Sequence, residues 1–276
     1  MTTAGVREME HDQYLSHNAL SASGAKLLLP PSCPALFKYH QENPPPTKAV
    51  YEFGHAAHHK VLGTGHEIVV VDAENWMKKA DQQARKDIRA AGKIPLLPAE
   101  LAVVDEMAAA IKAHPLAGRL FNPDNGKAEQ SLFWTDEESG VERRGRLDWL
   151  PNRAPSGAII IPDYKTADSA SPGKFSRPLA DYGYHMQAAW YTDAALALEL
   201  AKVARFVFVV QEKTAPYLIT IFQPDDRAIE IGRALNRRAI HLFAKCTAEN
   251  RWPGYSDGVE MISLPYWYEK EFEATL

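Results

Sequence analysis

The sequence predicts an α/β fold in which a mixed central sheet is flanked by helices and preceded by an N-terminal helical elaboration. Short apolar runs typical of strands follow one another closely between residues 128 and 164, and segments with helical periodicity lie on both sides. The chain has 276 residues, 46% hydrophobic and 24% charged, which is typical of a folded domain with a sizeable core. We therefore expect one domain, with an N-terminal helical arm over 1–46, a core over 47–250 and an aromatic C-terminal tail over 251–276.

The N-terminal part of the chain predicts mainly short helices. Ser21 and Ser23 supply hydroxyl groups that favour the start of a helix, and Pro30 and Pro31 end it. The other elements expected here are helices over 35–41, 47–61, 74–91 and 99–113, a proline-rich spacer at 44–46 and a short strand over 68–71.

The central part predicts strands over 128–135, 141–150 and 158–164. The segments between them, 136–140 and 152–157, are short and rich in turn-forming residues, so we expect an antiparallel meander. A helix over 184–200, strands over 206–210 and 217–222, and a long helix over 225–246 then complete the mixed sheet and its flanking helices.

Composition excludes several classes of protein. No apolar run approaches the roughly eighteen residues of a membrane span, and the N-terminus lacks the apolar centre of a signal peptide, so we expect a cytoplasmic protein. Cys33 and Cys246 are the only cysteines, which is too few for a disulfide framework or for a four-cysteine zinc or iron–sulfur site within one chain.

The charge distribution argues against a protein that coats nucleic acid through bulk positive charge, because the formal net charge is −4. A local basic groove is still compatible with this value, since basic residues lie close in sequence to two aspartates. A solvated strand face explains the same pattern equally well. The residues concerned are Arg143, Arg144 and Arg146 beside Asp148, and Lys165, Lys174 and Arg177 after Asp163.

Asp163 and Lys165 form the only acidic-x-Lys triplet of the sequence, at the end of an apolar run over 158–161. Side chains alternate along a strand, so both should project to the same side, about 7 Å apart along the backbone. The run itself indicates a strand buried on both faces. A carboxylate and an ammonium group are therefore expected to share one site.

Asp148 lies fifteen residues before Asp163, near the end of the preceding predicted strand. A hairpin would bring the two carboxylates together, where they repel each other unless a cation lies between them. Hard oxygen ligands suit Mg²⁺ or Mn²⁺. The alternative is a pair of surface salt bridges with the neighbouring arginines.

Two helical segments offer further polar groups. Gln187 and Tyr191 are four residues apart on one predicted helix and share a face, although such a pair is also common at the edge of a core. Gly54 and the small residues after it would let the helix bearing His58 approach the sheet, where an imidazole could complete a metal shell. His55 and His59 leave that choice ambiguous.

Taken in order, these motifs resemble those of the PD-(D/E)XK nucleases, in the RecB-like branch. From about residue 14 to beyond residue 222, the chain resembles the exodeoxyribonuclease VIII (RecE) family of prophage exonucleases. The segments that carry the resemblance are Leu-Ser-Ala-Ser at 20–23, Gly54 with His58, Glu-Gln-Ser at 129–131, Arg-Leu-Asp-Trp at 146–149, Asp-Tyr-Lys-Thr at 163–166 and Tyr-His-Met-Gln-Ala-Ala-Trp-Tyr at 184–191.

The resemblance implies a core like that of restriction endonucleases and a metal-dependent exodeoxyribonuclease that degrades linear double-stranded DNA. It also implies 5′-to-3′ digestion that produces single strands for recombination, one or two Mg²⁺ or Mn²⁺ ions per site, a homo-oligomeric ring around DNA and a partner protein that anneals single strands. None of these properties follows from composition or spacing alone.

Carried over residue by residue, the resemblance makes His58, Asp148, Asp163 and the backbone carbonyl of Tyr164 metal ligands. Lys165 would orient the attacking water or offset charge on the phosphoryl oxygens. Pro162 before Asp163 is not the first acidic motif of the superfamily, because no acidic-x-Lys triplet follows it. Its missing N–H implies a strand edge or a bulge.

The remaining site residues have supporting roles in the same scheme. Gln187 and Tyr191 would position Lys165 or the scissile phosphate, and Glu129 would make an outer-sphere contact to the metal. We expect contacts to DNA phosphates from Arg143, Arg144, Arg146, Thr166, Lys174 and Arg177.

Two other functions fit the same motif order. A CRISPR-associated RecB-like nuclease usually holds an iron–sulfur cluster on four cysteines, and the two cysteines of this chain count against it. A catalytically silent DNA-binding or phage assembly protein of the same fold is disfavoured by the intact Asp148, Asp163 and Lys165.

Overall fold

Three β-sheets organise the structure, a computed structural model that describes residues 4–44 and 52–274. The strands are β1 (Gly5–Arg7), β2 (Leu20–Ser21), β3 (Ile68–Val70), β4 (Ile94–Leu96), β5 (Gly126–Thr135), β6 (Glu142–Pro151), β7 (Ala158–Ala167), β8 (Val203–Glu212) and β9 (Ile219–Phe222). One sheet has the order β1-β5-β6-β2, another β7-β8-β9, and β3 pairs with β4. The mixed α/β architecture predicted from the sequence is confirmed.

Helices surround these sheets and largely match the predicted segments. Ser21 caps α2, since its hydroxyl accepts a hydrogen bond from the Gly24 amide at 3.1 Å. The start of the helix predicted over 47–61 and most of the proline-rich spacer, residues 45–51, lie outside the described residues. The helices are α1 (His11–Ser16), α2 (Ala22–Leu27), α3 (Pro34–Glu42), α4 (Glu52–Leu62), α5 (Lys79–Ala90), α6 (Pro98–Ala113), α7 (Ala117–Leu120), α8 (Pro172–Asp181), α9 (Tyr184–Ala197), α10 (Asp226–Glu249) and α11 (Tyr266–Glu273).

Strands β5 and β6 form the predicted hairpin. They pair antiparallel from Thr135 opposite Glu142 to Gly126 opposite Pro151. Asp136 stabilises the turn, because its carboxylate accepts hydrogen bonds from the Ser139 amide at 3.0 Å and hydroxyl at 2.7 Å. The turn fixes the register, and with it the residue that lies opposite each position of β6.

The expected antiparallel meander is wrong at its third strand. β7 pairs with β8 in parallel along its whole length, from Ala158 opposite Val203 to Ala167 opposite Glu212. The helices α8 and α9 lie between the two strands in the sequence and make the crossover that a parallel pair requires. Ile159 and Ile161 are buried, as in such a strand, but Ile160 is exposed, so the expected burial of this run on both faces is wrong at Ile160. β7 is the edge strand of its sheet, as Pro162 implied.

The two faces of β8 belong to two hydrophobic cores. Phe208 and Val210 pack with α9 and the apolar residues of β7 in one core, which includes the fully buried Trp190. Val209, between them, packs with Tyr164 and the buried Ala56 and Ala57 of α4 in the other. These alanines allow α4 to approach β7 closely. His58 is thereby brought to the sheet.

Helices α9 and α10 cross in close contact. A Cβ atom on Gly232 would lie 2.3 Å from the carbonyl oxygen of His185, so only glycine fits at this crossing. One turn further, the Asn236 side chain donates a hydrogen bond to the Met186 carbonyl at 2.9 Å. The crossing fixes the helix that carries Gln187.

The C-terminal segment contrasts with these packed elements. Every residue from Gly254 to Ala274 is exposed, including Tyr266 and Trp267 of α11. Among the residues that the structure describes, no helix has both the length and the apolar character needed to span a membrane.

Candidate metal centre and active site

Three side chains from three elements converge beside the hairpin. His58 of α4 lies between Asp148 of β6, at 3.1 Å from Nε2 to Oδ2, and Glu129 of β5, at 3.5 Å from Nδ1 to Oε1. One ligand atom from each lies within 4.8 Å of the other two. All three side chains are half-buried. An imidazole and two carboxylates at this spacing can share one cation.

Glu129 takes this position because the hairpin register sets it level with Asp148. The neighbouring pairs are Ala128 with Trp149 and Gln130 with Leu147, so residues 129 and 148 face each other. Glu129 also has a φ of 52°, in the left-handed region that non-glycine residues rarely adopt. Such backbone strain is concentrated at functional sites. The sequence had suggested only an outer-sphere role for this residue.

Asp163 and Lys165 lie side by side on β7, as strand alternation predicts. The Lys165 ammonium contacts the Asp163 Oδ2, and the Gln187 side chain donates a hydrogen bond to Oδ1 at 2.8 Å. Asp163 is 2% exposed, so this pair is held away from bulk solvent. The Tyr184 ring, with its centroid 5.5 Å from the ammonium, closes the other side of Lys165.

One hydrogen bond joins the two groups. The backbone amide of Tyr164, between Asp163 and Lys165, donates to Asp148 Oδ2 at 2.8 Å. β6 and β7 thus approach each other through a side chain. The bond brings the His58, Glu129 and Asp148 cluster next to the Asp163 and Lys165 pair.

The protonation of the site reflects crowded carboxylates. Burial, together with the nearby negative charge of Asp148, raises the pKa of Asp163 to about 6. Burial also acts to raise the pKa of Asp148, but the charge and hydrogen bond of His58 hold it below the ordinary value. The pKa values of His58 and Lys165 are raised against the effect of burial, since both face aspartates. A divalent cation therefore fits, because it would replace the protons that now offset this negative charge.

Gln187 and Tyr191 are on one face of α9, but they contact different parts of the site. Gln187 donates a hydrogen bond to Asp163, whereas Tyr191 is buried against β6 and its hydroxyl is hydrogen-bonded to the Arg146 backbone. A Cβ on Gly145 would lie 2.6 Å from the Tyr191 ring, so a glycine is required for this contact. Tyr191 thus supports the strand that carries Asp148.

The basic residues expected to contact DNA differ widely in availability. Arg143 is only 6% exposed, with its guanidinium over the rings of Trp134 and Trp190, so the predicted contact to a phosphate of DNA bound at the metal centre is not compatible with its position. Arg144 and Arg146 donate to the carbonyls of Leu15 and Met9, and Arg146 also pairs with Glu129. Strand alternation turns Arg143 away from the side of Asp148, whereas Arg144 and Arg146 share that side but are held by partners that sequence proximity does not reveal.

The remaining three candidates lie on β7 and α8. Thr166 lies beside α4, since a Cβ on Gly54 would be 3.3 Å from its hydroxyl. Lys174 and Arg177 of α8 are exposed, and Arg177 forms a solvent-exposed ion pair with Asp181 at 3.2 Å. Such pairs contribute little to stability, so this arginine can exchange its partner for a phosphate.

Replacing each of the three α4 histidines in turn should show which one is the metal ligand. We expect His58→Ala to weaken Mn²⁺ binding by at least about tenfold, because it removes one of three converging ligands. His55→Ala and His59→Ala serve as matched controls on the same helix and should change the affinity less than about threefold. Calorimetric titration of each variant with Mn²⁺ measures the effect. Greater sensitivity at His55 or His59 would contradict the assignment.

The chain is similar to a described protein family and to solved structures. A family described as a PDDEXK-like domain of unknown function (DUF3799) matches residues 21–265. The crystal structure of a "putative exonuclease" from Eubacterium rectale has a TM-score of 0.59 and 14% identity, over 95% of this chain and 98% of that chain. At this identity the likeness shows a shared fold.

Two further comparisons add no functional information. The structure of SSO0001 is 15% identical over 89% of this chain and 84% of that chain, with a TM-score of 0.37, which is too low to indicate a shared fold. No curated protein matches the chain.

Proposed function

The chain belongs to the PDDEXK-like domain family DUF3799, within the PD-(D/E)XK nuclease superfamily, and we propose that it is a metal-dependent exodeoxyribonuclease acting on linear double-stranded DNA. One observation supports metal-dependent cleavage, and the preference for the ends of linear duplex DNA rests on the resemblance to the exodeoxyribonuclease VIII family. The His58, Glu129 and Asp148 cluster lies one hydrogen bond away from the buried Asp163 and Lys165 pair. This juxtaposition combines a cation site with a fixed ammonium group, as phosphodiester hydrolysis requires.

His58, Asp148 and Glu129 would hold a divalent cation, with Asp163 and the Tyr164 carbonyl as further ligands. Glu129 thus becomes a direct ligand in this proposal. When bound, Mg²⁺ or Mn²⁺ supplies positive charge to the phosphate and lowers the pKa of a water molecule.

Lys165 is the residue best placed to act on the reacting groups. Its raised pKa keeps it protonated, so it can donate hydrogen bonds to the attacking water or to a phosphoryl oxygen. Gln187 fixes one oxygen of Asp163, and Asp163 in turn fixes the ammonium. Tyr191 acts through the backbone of β6 and is a positioning residue.

The finer parts of the proposal rest on the resemblance to the exodeoxyribonuclease VIII family. They are 5′-to-3′ digestion, the production of single strands for recombination, a homo-oligomeric ring and an annealing protein as partner. The exposed Lys174 and Arg177 are the residues of this chain that we propose for contacts to DNA phosphates.

Substrate topology tests the exonuclease proposal. We expect linear duplex DNA to be degraded in Mg²⁺ and covalently closed circular DNA of the same sequence to stay intact, because an exonuclease needs an end. A time course on a gel measures both, and linearising the circle with a restriction enzyme is the matched control. Equal degradation of the closed circle would assign an endonuclease.

A further inference from the structure

A pocket of about 310 Å³ lies between β6 and α10. Its polar lining consists of Arg143 of β6, Arg233, Arg237 and Asn236 of α10, and Asp193 of α9. Arg143 precedes Asp148 by five residues on β6, so the two side chains face opposite sides of the sheet, roughly 17 Å apart along the strand. Their contacts also place them on opposite faces of the strand, since Arg143 lies over Trp190 of α9 and Asp148 contacts His58 of α4. The pocket is therefore separate from the metal centre.

The Arg143 guanidinium is buried without adequate partners. It is 6% exposed, and its Nε has no hydrogen-bond acceptor anywhere in residues 4–44 and 52–274. The nearest carboxylate oxygen, Oδ2 of Asp136, is 3.7 Å away, which is too far for a hydrogen bond. Buried charged groups are normally paired and hydrogen-bonded. Contacts with two indole rings only partly replace such partners.

Asp136 is occupied by other donors. Its carboxylate accepts hydrogen bonds from Ser139 and from Arg237, the latter at 2.8 and 2.9 Å. Burial lowers the pKa of Arg143 to about 10 in spite of Asp136 and Asp193. The protonated guanidinium thus remains undercompensated. An anion entering the pocket would stabilise it.

Asn236 provides a second unsatisfied group on the same pocket. It is 2% exposed, and its amide nitrogen donates to the Met186 carbonyl, which fixes the side-chain orientation. Its Oδ1 has no donor among the described residues. A ligand that satisfies both Arg143 and Asn236 must offer an acceptor and a donor.

We propose that this pocket binds a phosphate group, as inorganic phosphate or as a small phosphate monoester. Phosphate oxygens match the planar fork of a guanidinium, and a protonated phosphate oxygen can donate to Asn236. Arg233 and Arg237 are half-exposed at the rim, paired with Asp193 and with Asp136 and Glu138, and can turn toward an incoming anion. The volume is at the lower end for small-molecule sites, and Ile240 gives an apolar wall for the rest of a monoester.

Calorimetric titration in EDTA tests the proposal, because the chelator keeps metal ions from holding phosphate at the other centre. The probes are inorganic phosphate, thymidine monophosphate and sulfate at matched ionic strength. We expect saturable binding of inorganic phosphate or of the monoester, and at least tenfold weaker binding of sulfate, which has no proton to donate to Asn236. Tighter binding of inorganic phosphate would identify free phosphate as the ligand, and tighter binding of thymidine monophosphate would identify a phosphate monoester.

Variants of one helix and one strand locate the site. Arg143→Lys keeps the charge but loses the planar fork, and Arg233→Gln removes a charge at the rim. Each should weaken phosphate binding at least tenfold. Arg238→Gln makes the same change as Arg233→Gln on an exposed arginine of α10 outside the pocket, and should leave binding unchanged.

Three outcomes would overturn the proposal: no saturable binding, equal affinity for sulfate, or equal binding by all variants. Arg233→Gln alters an exposed ion pair, so it tests the site even if Arg143→Lys fails to fold. Since no cleavage is measured, the result is independent of the proposed nuclease activity.

Discussion

Lys165→Ala should reduce the rate of DNA cleavage by about a hundredfold to a thousandfold, which is the size of effect seen when a group that stabilises the transition state is removed. The ammonium is fixed between Asp163 and Tyr184, and no other cation in the described part of the chain contacts Asp163. Asp148→Asn and Asp163→Asn should have effects of similar size. Because the residues act as one unit, a double variant should be no worse than either single one.

The control for this series is Lys213→Ala. Lys213 also pairs with an aspartate, Asp168, at 2.6 Å, but on the surface. Its loss should leave cleavage within about twofold. Removing Lys165 leaves Asp163 buried beside Asp148, so circular dichroism melting must show that each variant is folded. Near-native turnover by a folded Lys165→Ala protein would remove this lysine from the active centre.

Removal of divalent cations should have at least as large an effect. We expect cleavage of linear duplex DNA to fall by at least about a thousandfold in EDTA and to return when Mg²⁺ or Mn²⁺ is added in excess. The reason is electrostatic, because without a cation Glu129, Asp148 and Asp163 repel an anionic phosphate. The two ions, added back separately, show which one supports the faster reaction.

Metal binding should also be visible without substrate. Mn²⁺ should raise the melting temperature of the wild-type protein, since a ligand that binds only the folded state stabilises it. Asp148→Asn should abolish most of that increase. The matched control is Asp193→Asn, which makes the same change in charge at a half-buried aspartate that pairs with Arg233 away from the metal centre. It should leave the increase in melting temperature unchanged. Full activity in chelator would exclude the metal mechanism.

Much of the fold could be predicted because local patterns determine the elements. The periodicity of apolar residues located α6, α9 and α10 and the strands β5 to β9 to within a few residues. Strand alternation likewise placed Asp163 and Lys165 on one side of β7. The order of the motifs was sufficient to suggest the superfamily.

Pairing between distant strands could not be predicted in the same way. A short connection between two strands suggests a hairpin, yet β7 pairs with β8 in parallel, and α8 and α9 form the connection between them. β6 and β7 still meet, through the Asp148 carboxylate and the Tyr164 amide. The expected proximity of Asp148 and Asp163 therefore arises by a different route.

The sequence by itself determined the longest helices and strands, the PD-(D/E)XK motif order and the residue types from which a metal centre can be built. Only the tertiary structure decided which of them meet. It places Glu129 opposite Asp148, Asp163 in contact with Lys165 and Gln187, and the buried Arg143 guanidinium over two indole rings. The physical reason is that periodicity is a local property of the backbone, whereas burial and ion pairing depend on which distant side chains compete for the same contact.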